Sequence, residues 1–220
     1  VAGCPTAARS EVNNIPRAWN LLADPDKYVI VQTAPAVRAA LGESFGFAAG
    51  SSVTGKMVAA LRQLGFKKVY DTNFAADLTI MEEAAELLHR VKHGGKLPML
   101  TSCCPGWVKF LEHQFSDMLD VPSTCKSPQQ MFGAIAKTYL AQELDIDPSQ
   151  MAVVSVMPCI AKKYEAGKGE FNVDGFQEAA LALTTRELAK MISAAGITVD
   201  TLPDAQCDSP LGACTGAAVI

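Results

Sequence analysis

Two cysteine-bearing segments offer the reactive groups of this chain. Thr101-Ser102-Cys103-Cys104-Pro105-Gly106-Trp107 sets two adjacent thiols against a proline. Met157-Pro158-Cys159-Ile160-Ala161-Lys162-Lys163 supplies a third thiol 55 positions beyond Cys104, with a lysine close behind. Thiolates select iron–sulfur clusters, zinc or copper(I), and a nearby Lys adds a donor for an anionic ligand. Successive side chains of an extended segment point to opposite faces, so Cys103 and Cys104 do not readily chelate one metal together. One of them is expected to be a ligand and the other free for different work. Each segment follows a short apolar run, Leu97 to Leu100 and Met151 to Val156, that reads as a buried strand. Both motifs are therefore expected at the rim of a sheet.

A second constellation lies on a helical pattern. Glu83, Glu86 and Arg90 recur at spacings of three and four, so they share one stripe. Spacing alone favours a solvated face with an ordinary Glu–Arg pair. A file of carboxylates passing protons inward would require partial burial. His89, His93 and His113 read as surface or capping residues. Seven cysteines, an odd number without any Cys-x-x-Cys, argue against a secreted disulfide framework and for metal or redox duty. Cys125 reads as a small packing residue, and Cys207 and Cys214 as incidental members of a Gly/Pro/Asp-rich loop.

The elements that must position these groups alternate. Tyr28 to Thr33, Lys68 to Asp71, Met151 to Val156 and the segment around Ala180 read as strands. Helical patterns follow Pro35 and cover Val53 to Gly65, Ala76 to Val91, Gly106 to Phe115, Gln129 to Leu144 and Thr185 to Ala194. Alternation of this kind predicts an α/β fold: two lobes of mainly parallel sheet flanked by helices, with the active site in the cleft between them. In such sheets sites form at the carboxyl ends of strands, where both cysteine motifs and Thr33-Ala34-Pro35 fall. The 220 residues suffice for one large domain or two lobes. Hydrophobic content of 49% and charged content of 19% are those of a folded globular protein. A net charge of −4 with scattered basic residues disfavours nucleic acid as a partner, and no apolar run is long enough to span a membrane.

The motifs resemble, residue by residue, the first two signature motifs of the [FeFe]-hydrogenase family. The resemblance runs through Thr33-Ala34-Pro35-Ala36-Val37-Arg38, Asp77 to Glu83, Lys126-Ser127-Pro128-Gln129-Gln130 and Thr184-Thr185-Arg186-Glu187-Leu188. It ends in a varied block, Leu211 to Ala217. It implies a hydrogenase catalytic domain over residues 23–220, incomplete at its carboxyl side. Residues 1–22, with Cys4-Pro5, are then the tail of an upstream ferredoxin-like region and a linker. It also implies a [4Fe-4S] cubane joined to a two-iron unit bearing CO, cyanide and an azadithiolate. Cys104 and Cys159 would be two cubane ligands, with the others beyond Ile220. By the same resemblance Cys103 is the thiol nearest the two-iron unit, and Glu83, Ser123, Glu86 and Arg90 continue a proton route, Arg90 at its surface end. Lys162 would donate to cyanide. Met157, Pro158, Gln129, Ala34 and Pro35 would line the ligand shell. Ala36 stands where some relatives have a Ser that bonds cyanide.

The implied partners are H2 and protons, a ferredoxin or other iron–sulfur carrier, and maturation proteins that insert the two-iron unit. The cytoplasm is the expected compartment, the periplasm the alternative. An iron–sulfur assembly relative typically lacks the Cys103 equivalent and the full glutamate route. A sensory relative keeps much of the site. A cysteine hydrolase is disfavoured because no His neighbours either motif.

Overall fold

Three apolar runs form the centre of the molecule, and their faces sort its core. The structure is a computed structural model that describes residues 4–6 and 8–211. In chain order the elements are α1 (Ile15–Ala23), β1 (Tyr28–Thr33), α2 (Pro35–Ala40), α3 (Thr54–Gln63), β2 (Lys68–Asp71), α4 (Asn73–His93) and α5 (Pro105–Gln114). There follow α6 (Pro128–Ile135), α7 (Ala141–Glu143), β3 (Met151–Met157), α8 (Ala161–Ala166), β4 (Asn172–Val173), β5 (Phe176–Gln177), β6 (Leu181–Thr184) and α9 (Thr185–Ala194). Strands β2-β1-β3-β6 make one four-stranded, all-parallel sheet. Every residue of β3 and of β6 is buried, as a sheet covered on both faces requires.

Alternation within the strands divides the core. Val29, Val31, Val154 and Val156 face a cluster with Met57, Leu61, Leu188 and Ile192 from α3 and α9. Ile30, Met151 and Val153 face Phe132, Ala136 and Leu140 on the other side. A buried polar knot pins the second layer. Gln32 Nε2 donates to the Gln129 carbonyl (2.9 Å) and to Ser155 Oγ (3.0 Å), and Thr72 Oγ1 donates to Gln32 Oε1 (3.1 Å). Gly133 lets α6 approach the backbone of residue 178 closely, since a Cβ there would fall 2.5 Å from the Glu178 carbonyl oxygen. Gly94 closes α4 at φ +82°, its N–H donating to the Arg90 carbonyl.

The α/β class and the parallel sheet agree with expectation; several details differ. Among the described residues the parallel strands form one sheet. Leu97–Leu100, expected as a strand, is a loop, because Pro98 offers no N–H to a ladder and only Leu100 makes a single bridge, to Pro122. The helix expected over 129–144 is continuous but contains a π-helical stretch, Ala136–Leu140, between α6 and α7. Part of the segment read as linker up to residue 22 is α1. Its Ala18 is fully buried, and Asn14 ahead of it bonds Glu187 and the Ala182 carbonyl. Helix α8 and the β4–β5 hairpin carry too little periodicity to be read from six-residue and two-residue segments. Cys214 and most of the Leu211–Ala217 block lie outside the described residues.

Candidate metal centre

The carboxyl edge of the sheet gathers most of the implicated residues. Ala34 follows β1 directly, and its N–H donates to the Val156 carbonyl at 3.0 Å. Ala34 and Pro35 therefore lie beside the end of β3, where buried Met157 leads into exposed Pro158 and Cys159. Cys103 and Cys104 arrive from a loop instead of a strand. Pro105 at the first position starts α5 after Cys104, whose Sγ accepts the Trp107 N–H at 3.4 Å. The three thiols are exposed and unpaired.

Lys162 draws the two cysteine segments together. It sits on α8 just after Cys159, and its Nζ donates to the Cys103 carbonyl (2.7 Å) and to Glu165 Oε2 (2.6 Å). Lys163 turns away, pairing with Glu187 at 2.7 Å. Gln129, 1% exposed, donates from Nε2 to the Lys162 carbonyl at 3.2 Å, while its Oε1 is buried without a partner. A cavity of about 180 Å³ opens beside these groups, lined by Ser102, Cys125, Ser127, Tyr164 and Glu165 among others.

The helix α4 stripe is partly buried and connected. Glu86 Oε1 accepts from Arg90 Nε (3.0 Å) and Nη2 (2.6 Å). Glu86 Oε2 accepts from Ser123 Oγ (3.2 Å), Thr124 N (3.0 Å) and Thr124 Oγ1 (3.1 Å). Burial pushes the Glu86 carboxyl up, but the Arg90, Thr124 and Ser123 hydrogen bonds outweigh it and hold it below the ordinary carboxylate range. Arg90, expected at a surface end, is instead 9% exposed and donates to the carbonyls of Lys96, Asp120, Val121 and Pro122. It joins α4 to the 120–123 loop. Glu83 is half-buried with Oε1 sequestered and unpartnered. Among the described residues no hydrogen bond links Glu83 or the Cys103 thiol to the Glu86 cluster; Ser102 Oγ, donating to the Cys125 carbonyl at 2.8 Å, ties the loops.

Sequence reasoning missed Thr124, Glu165 and Ser127, and it read Cys125 as packing. The Cys125 Sγ lies 3.8 Å from Glu86 Oε2. Burial pushes its thiol up, and the Glu86, Glu83 and Glu82 carboxylates add to this against the Ser123 hydrogen bond. The signal for Glu165 was its spacing three residues from Lys162, which brings the two onto one helix face.

The donor set is of the kind an iron–sulfur centre takes. Cys104 and Cys159 are exposed soft donors without disulfide partners, and a cubane takes four. No three metal-ligating side chains gather among the described residues, so these residues offer two thiolates and not a closed site. The buried unpaired oxygens of Glu83 and Gln129 mark where donors or a proton belong.

Fold and site together define an α/β protein that presents thiols, a lysine and a carboxylate cluster at the carboxyl edge of a parallel sheet. Comparison with known proteins narrows that class. Residues 27–220 match the family described as iron only hydrogenase large subunit, C-terminal domain, and the chain belongs to that family. It is 63% identical over 226 residues to the NADP-reducing hydrogenase subunit HndD of Solidesulfovibrio fructosivorans, covering all of this chain and 39% of that one. It is 48% identical over 216 residues to iron hydrogenase 1 of Clostridium pasteurianum, covering 98% and 38%. A variant of the [FeFe]-hydrogenase HydA1 from Chlamydomonas reinhardtii superposes with a TM-score of 0.86 at 42% identity, covering 92% of this chain and 52% of that one. The chain thus spans about two-fifths of the length of these curated relatives.

Proposed function

We propose that this chain forms part of the catalytic domain of an [FeFe]-hydrogenase, catalysing reversible oxidation of H2 to protons and electrons that pass to a ferredoxin-type or linked iron–sulfur carrier. The observation that carries the reading is Lys162 Nζ bonded to the Cys103 carbonyl, which brings the two cysteine motifs to one place. Cys104 and Cys159 would hold the cubane, with its remaining thiolates supplied by sequence beyond Ile220. When bound, the cubane and its two-iron unit, with CO, cyanide and azadithiolate, would supply the hydrogen-binding metal and the electron store.

The chain's own residues do the rest. Lys162 offers an ammonium donor to an anionic ligand, and charge-assisted bonds of this kind contribute roughly 1.5–3 kcal/mol. Met157, Pro158, Gln129, Ala34 and Pro35 line the shell and limit water. By the resemblance the Cys103 thiol would pass its proton at Sγ toward the Glu83 carboxyl, whose sequestered Oε1 has no partner among the described residues. Ser123 Oγ and the Glu86 carboxylate, joined at 3.2 Å, take it onward, and Arg90 keeps Glu86 ionised and ready to accept. Maturation proteins would deliver the two-iron unit. The six described cysteines, all free, suit a reducing environment, with the cytoplasm as the proposed compartment and the periplasm the alternative.

Separate cysteine substitutions in the full-length protein test the assignment. Cys104→Ser and Cys159→Ser should each lower bound iron and abolish the cubane's electron paramagnetic resonance signal. Cys103→Ser should leave iron content unchanged and slow hydrogen turnover by at least roughly 10²-fold, the usual span of a lost proton-transfer group. Full turnover in Cys103→Ser, or full iron content in Cys104→Ser, would refute the roles.

A further inference from the structure

Glu165 has no part in the roles above, yet it is 3% exposed and sits between three segments of the site. One carboxylate oxygen accepts from Lys162 Nζ at 2.6 Å, and the other accepts from Ser127 Oγ. Lys162 in turn donates to the Cys103 carbonyl at 2.7 Å. Ser127 precedes α6, which carries Gln129, and Gln129 Nε2 returns to the Lys162 carbonyl at 3.2 Å. The Cys103 loop, the Cys159–α8 segment and the start of α6 are therefore tied through one buried carboxylate.

An ammonium group has three N–H donors and no acceptor. Two of those on Lys162 are committed, to Cys103 O and Glu165 Oε2. The direction of the third is then fixed by the first two, since rotation about the terminal bond would break both. A buried carboxylate facing a lysine of 14% side-chain exposure also keeps the charge pair desolvated, which strengthens it. We propose that Glu165 is a positioning residue: it holds the Lys162 ammonium across the two cysteine motifs so that a single N–H remains for the anionic ligand. The inference rests on the hydrogenase reading for the identity of that ligand, but the clamp itself belongs to the cofactor-free protein.

Two measurements separate the clamp from the function. In the full-length protein without cofactor, exchange of the hydrogen-bonded amides of residues 107–108 and 162–163 in Glu165→Ala should quicken by roughly tenfold or more, the effect of losing a charge-assisted bond. Glu165→Gln, which keeps an acceptor at the same place, should restore most of the protection. In protein loaded with the two-iron unit, the infrared cyanide band should move in Glu165→Ala and lie near the wild-type position in Glu165→Gln. Ser127→Ala, which removes one tie without stranding a charge, should give a smaller change of the same sign and serves if Glu165→Ala does not fold. An unmoved cyanide band in Glu165→Ala, with or without faster exchange, would reduce Glu165 to packing and overturn the proposal; if Glu165→Ala does not fold, an unmoved band in Ser127→Ala does the same. Unchanged exchange in the cofactor-free protein would overturn the clamp whatever becomes of the hydrogenase reading. Failure of the unsubstituted protein to take up the two-iron unit would overturn that reading alone.

Discussion

Arg90→Ala should loosen the floor of the candidate proton route before it affects any chemistry. The Arg90 guanidinium meets Glu86 Oε1 through two N–H groups, at 2.6 and 3.0 Å, and spreads its remaining donors over four carbonyls at 2.7–3.2 Å. Its side chain is 10% exposed and that of Glu86 17%, so both partners are largely out of water. Alanine strands the Glu86 Oε1 together with the carbonyl oxygens of Lys96, Asp120 and Pro122, while Val121 keeps the Leu100 amide. Breaking a buried pair by removing one partner costs about 3–5 kcal/mol. Since about 1.4 kcal/mol is tenfold, local opening should become roughly 10²–10⁴ times more frequent. The readout is hydrogen exchange at the Ser123 amide, which donates to the Leu100 carbonyl at 2.7 Å, and at the Leu100 amide, which donates to Val121. Arg90→Lys keeps the charge, but a lysine has only three donors for these acceptors, so it should fall between the two. Acceleration below about tenfold in the alanine variant, or none in the lysine variant, would refute the view that Arg90 organises this loop.

Other substitutions probe separate supports. The folded Glu86 carboxyl lies below its ordinary range despite burial, so its stabilisation is present above about pH 4.5 and is lost as pH falls through the lower folded value. Denaturant midpoints should drop in that acid window, and Glu86→Gln should flatten the drop; an identical acid profile would contradict it. Gly133→Ala drives a Cβ to 2.5 Å from the Glu178 carbonyl oxygen, a backbone atom with little freedom to yield. A loss of about 1–3 kcal/mol is expected, near 2–12 °C in melting temperature for a domain of this size. An unchanged melting point would show that α6 is free to shift. Thr184 and Glu187 form a reciprocal cap on α9, and Glu187 also pairs with half-buried Lys163 at 2.7 Å. Thr184→Ala should cost about 1 kcal/mol. Glu187→Gln should cost roughly 1.5–3 kcal/mol, because the charge-assisted bond to Lys163 is weakened while the Val12 carbonyl at 2.6 Å and Glu11 at 3.9 Å remain. Equal losses in the two variants would argue that these two partners hold Lys163 without Glu187.

The strands that build the sheet were legible because burial on both faces leaves short, Val-rich apolar stretches, Val29 to Val31 in β1 and Met151 to Val154 in β3. Helices α3, α4 and α9 were legible from periodicity and from the glycines that end two of them. Leu97–Leu100 misled because apolar content was read without weighing Pro98. Helix α1 was legible too, since Ile15, Ala18, Trp19 and Leu22 recur at helical spacing with Pro16 in the first turn, but the segment was read as a linker; Glu187 and the Ala182 carbonyl then hold Asn14 ahead of it.

The candidate site divides in the same way. Thiols, Lys162 and the glutamate stripe carry their chemistry in residue type and spacing, so they stood out in the chain. What orients them does not. The Lys162 ammonium is placed by a carbonyl 59 positions away and by Glu165, and Glu86 by an arginine four residues on together with hydroxyls and an amide 37 and 38 positions distant. Burial also reversed one reading. Spacing alone made Glu86–Arg90 an ordinary solvated pair worth a few tenths of a kcal/mol. Covered by the 120–124 loop, the same pair becomes the junction that, with Thr124 and Ser123, holds the Glu86 carboxyl below its ordinary range. Reactive groups are thus encoded locally and their geometry by the fold, so variants of Glu165 and Arg90 should alter the site without changing one of its candidate metal ligands.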